Sequence, residues 1–228
     1  MNFFKLIATT HKETKMRNFI SNIILFSILG GLFSCAFQEE ALKTTATEQD
    51  LSKQSVDEVR QQAEHGNANA QFILGLQYYS GKGVTQNYQE AFNWFYKSAQ
   101  QGHLDAQNYL GTLYYRGKGV PKNQPEATKW YRQAAERGSA KAQYNLGIIY
   151  ENGYGVPQNL PEAIKWYHQA AQQGHAKAQN NLGVLYHQGK GVKQDYQEAA
   201  KWYRQAAQQG NTEAQHNLDV MYGNKSSM

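Results

Sequence analysis

Hydrophobic positions and glycines recur along this chain with a period of 36 residues. The segment "GTLYYRGKGV" begins at Gly111, and related segments begin at Gly75, Gly147 and Gly183. A period of this length is typical of repeat architectures, in which each unit is one supersecondary element that stacks on its neighbours. The pattern therefore predicts four stacked units and excludes a phosphate-binding loop, which a chain normally needs only once.

Each unit contains two stretches with helical periodicity. In the unit that covers residues 140–175, Ala142, Leu146 and Tyr150 lie four residues apart and share one helical face. The second stretch has its apolar positions at helical spacing around Trp166. The glycine-containing loop lies between the two stretches, so the unit is predicted to be a helix–turn–helix hairpin.

Capping signals mark the start of the second helix in every unit. An Asn or Asp precedes a glutamate by three residues at Asn87/Glu90, Asn123/Glu126, Asn159/Glu162 and Asp195/Glu198. This spacing predicts capping boxes, in which the first side chain accepts a backbone N–H and the glutamate reaches back. The four glutamates are therefore interpreted as caps and not as catalytic acids. Left-handed helix ends are predicted at Gly102, Gly138, Gly174 and Gly210.

Two further recurring positions indicate close packing between helices. Glycine inside a helix costs about 1 kcal/mol relative to alanine, so the glycine in each first helix predicts close approach of a neighbour. Asp219 takes that position in a fifth first helix, predicted over residues 214–222. Core positions are predicted for all four tryptophans, which are Trp94, Trp130, Trp166 and Trp202. Lys118 in the loop is predicted to be solvated, because Tyr154 replaces it in the next unit.

These motifs resemble the Sel-one-like repeat (SLR) family, a relative of the tetratricopeptide repeats. The resemblance rests on "A-x-x-x-L-G-x-x-Y-x-x-G-x-G-V" followed by "A-x-x-W-Y-x-x-A-A-x-x-G", and it covers residues 55–222. It implies an all-α, right-handed α/α superhelical solenoid of about four complete 36-residue repeats. A lone second helix begun by Ser55 and a lone first helix at the other end act as half-repeat caps.

The resemblance implies a non-catalytic adaptor or scaffold that binds a protein or peptide and needs no cofactor or metal. Two alternatives stay open. One is the penicillin-binding or β-lactamase-like activity linked with a cysteine-rich branch of the family, and the other is a structural, self-assembling envelope lipoprotein. The repeats contain no cysteine, no serine is followed by lysine three residues later, and no H-x-x-x-H pair occurs. These observations favour the adaptor.

The candidate peptide-binding residues lie two and three positions before Gly111, Gly147, Gly183 and the corresponding Asp219. They are Asn108, Tyr109, Tyr144, Asn145, Asn180, Asn181, His216 and Asn217. First helices line the inner face of an α/α solenoid, where asparagines in register could hydrogen-bond an extended backbone or a terminal carboxylate. Lys141 and Lys177 lie close by in sequence and would strengthen binding. His103 and His175 follow helix-ending glycines and are predicted to be capping or surface groups.

The N-terminal segment is typical of an exported bacterial lipoprotein. "MRNFISNIILFSILGGLFSC" has a basic start, a short apolar stretch and then Cys35, the only cysteine of the chain. "LFSC" resembles a lipobox, so residues 1–34 are predicted to be a signal peptide, with Met16 as an alternative start. Cys35 is the predicted lipidation site. Residues 35–54 are predicted to be a flexible tether, and residues 223–228 a tail. The predicted location is the bacterial cell envelope, with the protein lipid-anchored at the outer membrane or periplasmic face, or else secreted. An uncleaved signal anchor and an ordinary cleaved signal stay open as alternatives.

The charge distribution argues against a nucleic-acid partner. The formal net charge is +5, but residues 1–34 carry four basic side chains and one acidic side chain. The remaining residues therefore carry only about +2, which is too little for a surface that binds a polyanion.

Overall fold

The computed structural model describes residue 51 and residues 54–223. Residues 54–223 contain ten helices and no strand. Their bounds are α1 Val56–Glu64, α2 Ala68–Ser80, α3 Tyr88–Gln100, α4 Leu104–Arg116, α5 Gln124–Glu136, α6 Ala140–Asn152, α7 Leu160–Gln172, α8 Ala176–Gln188, α9 Tyr196–Gln208 and α10 Thr212–Gly223. The all-α prediction is confirmed. None of the helices in this part of the chain is long and apolar enough to cross a membrane.

The helices pack in chain order, as a solenoid requires. Each even-numbered helix from α2 to α8 forms a hairpin with the helix that comes after it, and each hairpin packs on the next. Among the described residues, α1 packs on α2 in the position of a second helix, and α10 packs on α9 in the position of a first helix. The predicted signal peptide, Cys35 and almost all of the predicted tether lie outside the described residues.

The second helices begin as the sequence predicts, but their caps are simpler. Asn123 Oδ1 accepts the backbone N–H of Glu126 at 3.0 Å, and the corresponding Asn or Asp does the same in α3, α7 and α9. A reciprocal capping box forms at Ser55 and Glu58. The predicted reciprocal bond is wrong for three other glutamates, because a lysine one turn later takes the carboxylate. These pairs are Glu126–Lys129 (2.8 Å), Glu162–Lys165 (3.1 Å) and Glu198–Lys201 (2.9 Å).

The glycine within each first helix makes room for an aromatic ring of the second helix. A Cβ atom built on Gly147 would lie 2.3 Å from Cε1 of Tyr167, which is fully buried. The rings of Phe95, Tyr131 and Tyr203 approach Gly75, Gly111 and Gly183 in the same way. The predicted close approach is confirmed, and the second helix of the same unit is the element that makes it.

Three of the four tryptophans lie in the core, and one does not. Trp130, Trp166 and Trp202 are buried. Trp166 packs against the second helix of the preceding unit through Ala127 and Ala135, so this position joins consecutive units. The prediction is wrong for Trp94, which is half-buried beneath the ammonium group of Lys97. Its preceding neighbour is the short helix α1, which has nine residues where the other second helices have thirteen.

The loop between the paired helices also contacts the preceding unit. Gly155 has φ +72°, and a Cβ atom there would lie 2.6 Å from Cβ of Gln124 at the start of α5. Lys118 is half-buried, donates to the hydroxyl of Tyr88 at 3.0 Å and lies over that ring. The prediction that Lys118 is merely solvated is therefore wrong, because this loop position touches the neighbouring unit.

Candidate binding surface

The predicted binding residues lie on the first helices α4, α6, α8 and α10, and we call the surface that they define the A face; these residues are Asn108, Tyr109, Tyr144, Asn145, Asn180, Asn181, His216 and Asn217. Side-chain amides join α4 to α6 and α8 to α10 across this surface. Asn145 on α6 donates to Oδ1 of Asn108 on α4 at 2.8 Å. Asn217 on α10 donates to Oδ1 of Asn180 on α8 at 3.1 Å. Four of the predicted site residues thus form two hydrogen-bonded pairs that link neighbouring units.

Burial separates the two members of each amide pair. Asn108 and Asn180 are buried, whereas Asn145 and Asn217 are half-buried. A buried amide oxygen needs a hydrogen-bond donor, and leaving it without one costs about 1–3 kcal/mol. The pairs therefore stabilise the stacking of units, and their half-buried members expose more surface to a ligand than their buried members do.

Asn181 is tied to a buried tyrosine. It hydrogen-bonds the hydroxyl of Tyr167, which itself donates to Oε2 of Glu151 at 2.8 Å. Burial raises the pKa of Tyr167, and the adjacent Glu151 carboxylate raises it further, so the phenol stays protonated. Lys190 lies 3.4 Å from Oε1 of the same carboxylate. This network links α6, α7, α8 and the loop after α8.

Tyr109 belongs to an aromatic cluster at the other end of the A face. Its ring stacks on Phe95 with centroids 4.9 Å apart and meets Tyr79 and Phe72 edge-on at 5.5 and 5.8 Å. Burial raises the pKa of Tyr109. This residue fills space between the first two complete units, so it lies apart from the amide pairs.

Three of the predicted residues come together in an open groove of about 370 Å³. Its lining consists of Asn108, Lys141, Tyr144, Asn145, His175, Ala176 and Lys177. Two lysines and no acidic side chain line this groove, and Lys141 also reaches Asp105 at 2.8 Å. Tyr109, Asn180, Asn181, Asn217 and the exposed His216 are not part of its lining.

His175 has two roles in this groove. Its Nδ1 accepts the backbone N–H of Ala178 at 3.3 Å and so caps α8, which confirms the predicted capping role. A neutral ring that accepts at Nδ1 carries its proton on Nε2. Burial lowers the pKa of His175, and Lys177 and Lys141 lower it further. The ring stacks on Tyr144 with centroids 4.6 Å apart.

The sequence contains a signal for this stacking that the repeat pattern alone does not reveal. Phe72 is followed 31 residues later by the capping residue His103, and Tyr144 is followed at the same interval by His175. Where the earlier position is asparagine, at 108 and 180, the cap is Ser139 or Asn211. His103 stacks on Phe72 at 4.4 Å, so aromatic residues pair with histidine caps in both units.

Within residues 54–223, no group of three or more His, Cys, Asp or Glu side chains is placed to hold a metal ion. The groove instead offers ammonium groups, an imidazole N–H, a phenol and amides. Such donors are suited to binding an anionic or hydrogen-bond-accepting group such as a carboxylate or a peptide carbonyl.

Comparison with protein families gives a match over most of the described solenoid. A family model described as Sel1 repeat matches residues 68–103, 104–139, 140–175 and 176–211. These segments cover the 36-residue units without a gap. A search of curated proteins gives no significant match.

Solved structures with the same architecture include three bacterial proteins. A protective antigen of uropathogenic Escherichia coli with an SLR fold is 39% identical, with a TM-score of 0.73, over 76% of this chain and 37% of that one. A Sel1 repeat protein from Oxalobacter formigenes is 41% identical, with a TM-score of 0.67, over 70% and 64%. Pseudomonas aeruginosa 5086 is 25% identical, with a TM-score of 0.50, over 70% and 59%. The chain thus spans less than two thirds of each of these proteins.

Proposed function

The chain belongs to the Sel1 repeat family, whose members are generally protein-interaction scaffolds, and on that premise we propose that its A face binds an extended peptide segment of a partner protein. The groove around Tyr144 carries this proposal. It is the place where predicted site residues converge with two lysines and an imidazole N–H. The protein acts in this account as a non-catalytic adaptor.

The donors in the groove favour a carboxylate on the bound peptide, either an acidic side chain or the chain terminus. Lys177 is exposed, and no ion pair of this lysine is found among the described residues. The Nε2–H of His175 adds a neutral donor beside it. A carboxylate held by charged donors forms shorter and stronger hydrogen bonds than a neutral acceptor does.

The test starts from peptides selected by display for binding to the folded chain. Lys177→Ala should weaken binding of a selected peptide by at least about tenfold, because one charge-assisted contact contributes roughly 1.5–3 kcal/mol. Lys165→Ala is the matched control, since Lys165 lies on second helix α7 and pairs with Glu162. Full affinity of the Lys177 variant together with weakened binding of the Lys165 variant would place the site elsewhere.

Asparagine variants are poorly suited to this test. Replacing Asn145 with alanine would leave the buried oxygen of Asn108 without its donor, and replacing Asn181 would remove a partner of Tyr167. Both changes are expected to lower the stability of the solenoid as well as any affinity. Lys177 avoids this ambiguity because it lies at the exposed rim.

We also propose that the protein acts in the bacterial cell envelope, attached by lipid at Cys35. The basic start, the short apolar stretch and the lipobox-like "LFSC" support this proposal. Cys35→Ser should move the full-length protein from the membrane fraction to the soluble fraction of its native host. A variant that stays with the membranes would contradict lipid anchoring at this residue.

A further inference from the structure

Helix α10 departs from the other first helices at a single decisive position. Asp219 stands where Gly75, Gly111, Gly147 and Gly183 stand in α2, α4, α6 and α8. In those four helices the glycine lies under an aromatic ring of the second helix. The fifth copy therefore carries a charged side chain at the point where the other copies have none.

The space above the glycine is too small for any side chain. A Cβ atom at each of the four glycines would lie between 2.3 and 2.7 Å from the nearest ring carbon. Separations below 3.0 Å require a neighbour to shift, and here the neighbour is a large aromatic ring of a packed helix. A second helix of this repeat type can dock only on a first helix that has glycine there.

Asp219 also redirects a hydrogen bond that recurs in the complete units. In those four units, a buried glutamine donates to a carbonyl of the preceding second helix, as Gln143 does to Ala135 at 3.0 Å. The corresponding residue of α10 is Gln215, which is exposed and donates instead to Oδ1 of Asp219 at 3.0 Å. A polar pair thus lies exposed on α10.

The two sides of α10 differ accordingly. Leu218 and Met221 are buried against α9, and the hydroxyl of Tyr222 accepts a hydrogen bond from Arg204 of the same helix. Val220 is 41% exposed, and Asp219 next to it is exposed. The exposed part of α10 therefore includes an apolar side chain and a carboxylate.

We propose that Asp219 closes the repeat array, so that no further second helix of this repeat type can dock on α10. Docking would force the carboxylate against an aromatic ring and remove its charge from water without a partner, which is strongly unfavourable. The exclusion applies equally to a later helix of the same chain and to a helix of a second copy. It is a property of α10 alone, and it is independent of ligand binding on the A face.

The test adds a second helix of this repeat type after α10. Residues 225–228 are replaced with a second copy of residues 189–210, which keeps the 36-residue spacing and places the copy of Tyr203 opposite residue 219. With Asp219 present, the amides of the added helix should exchange hydrogen at the rate of an unstructured peptide. With Asp219→Gly they should be protected at least about 100-fold, because docking against a packed first helix slows local opening.

Two further variants separate the steric effect of residue 219 from the effect of its charge and from any loss of helix in the parent protein. Asp219→Asn in the extended chain should stay unprotected, since the volume clash alone prevents docking, and protection there would overturn the steric argument. Asp219→Gly without the extension should keep the helical circular dichroism of the parent. The proposal is overturned if the added helix is protected while Asp219 is present, or if the Asp219→Gly change leaves the added helix as unprotected as it is in the parent.

Discussion

Lys118, Tyr154 and Lys190 occupy one loop position of the repeat, and each contacts the residue 39 positions earlier. Lys118 lies 5.7 Å from the centroid of Tyr79, Tyr154 and Tyr115 have centroids 5.8 Å apart, and Lys190 pairs with Glu151 at 3.4 Å. The contact is cation–π in the first pair, aromatic in the second and ionic in the third, whereas the two positions that meet are the same in all three. Variation at this position therefore reflects paired substitutions and not a lack of constraint.

Single tryptophans contribute unequally to stability, and this can be measured. Trp130→Ala should lower the free energy of unfolding by about 3–5 kcal/mol, because a large buried side chain leaves a cavity between two units. Trp94→Ala is the matched control, since the same change at the half-buried position should cost clearly less. Denaturant titration of both variants checks the ordering, and equal losses would contradict the assigned burial.

At the scale of helices, most boundaries could be predicted from the sequence. The Asn and Asp N-caps and the glycine ends place the second helices because these residues satisfy unpaired backbone groups locally. The fate of the first-turn glutamates could not be predicted in the same way. A first-turn glutamate can accept a hydrogen bond from the backbone of the capping residue or form an ion pair with a lysine three residues later. The same sequence is compatible with both arrangements.

Helix α8 is predicted to weaken in acid through its histidine cap. Burial lowers the pKa of His175, so the unfolded chain takes up a proton near pH 6.5 before the folded chain does. The stabilisation is therefore complete above pH 6.5 and declines as the pH falls through the lower pKa of the folded state.

His175→Asn isolates this effect. Asparagine caps the corresponding helices α2 and α10 through Asn67 and Asn211, so the cap is kept and the titration removed. Between pH 7.5 and 5, the parent should lose more free energy of unfolding than the variant does. His168, whose pKa burial also lowers, titrates in both proteins and cancels in the comparison. Identical losses would contradict the assigned role of His175.

At the scale of the molecule, the solenoid was predictable and the binding surface only partly so. The 36-residue period determines stacking, because each hairpin buries its apolar face only against a neighbour. The asparagines were found by position alone, and position does not show that Asn108 and Asn180 are buried acceptors of amides 37 residues later. Contacts across units depend on the superhelical offset between helices, which the repeat length does not specify.

Site-specific photocrosslinking tests the claim that the A face is the binding surface most directly. A photoreactive amino acid is placed at Ala176, which lines the groove on α8, or at Lys129 on second helix α5, whose side chain is 70% exposed. The peptide selected by display is then added to each protein. We predict crosslinking at position 176 and none at position 129. Crosslinking at position 129 alone would contradict the claim.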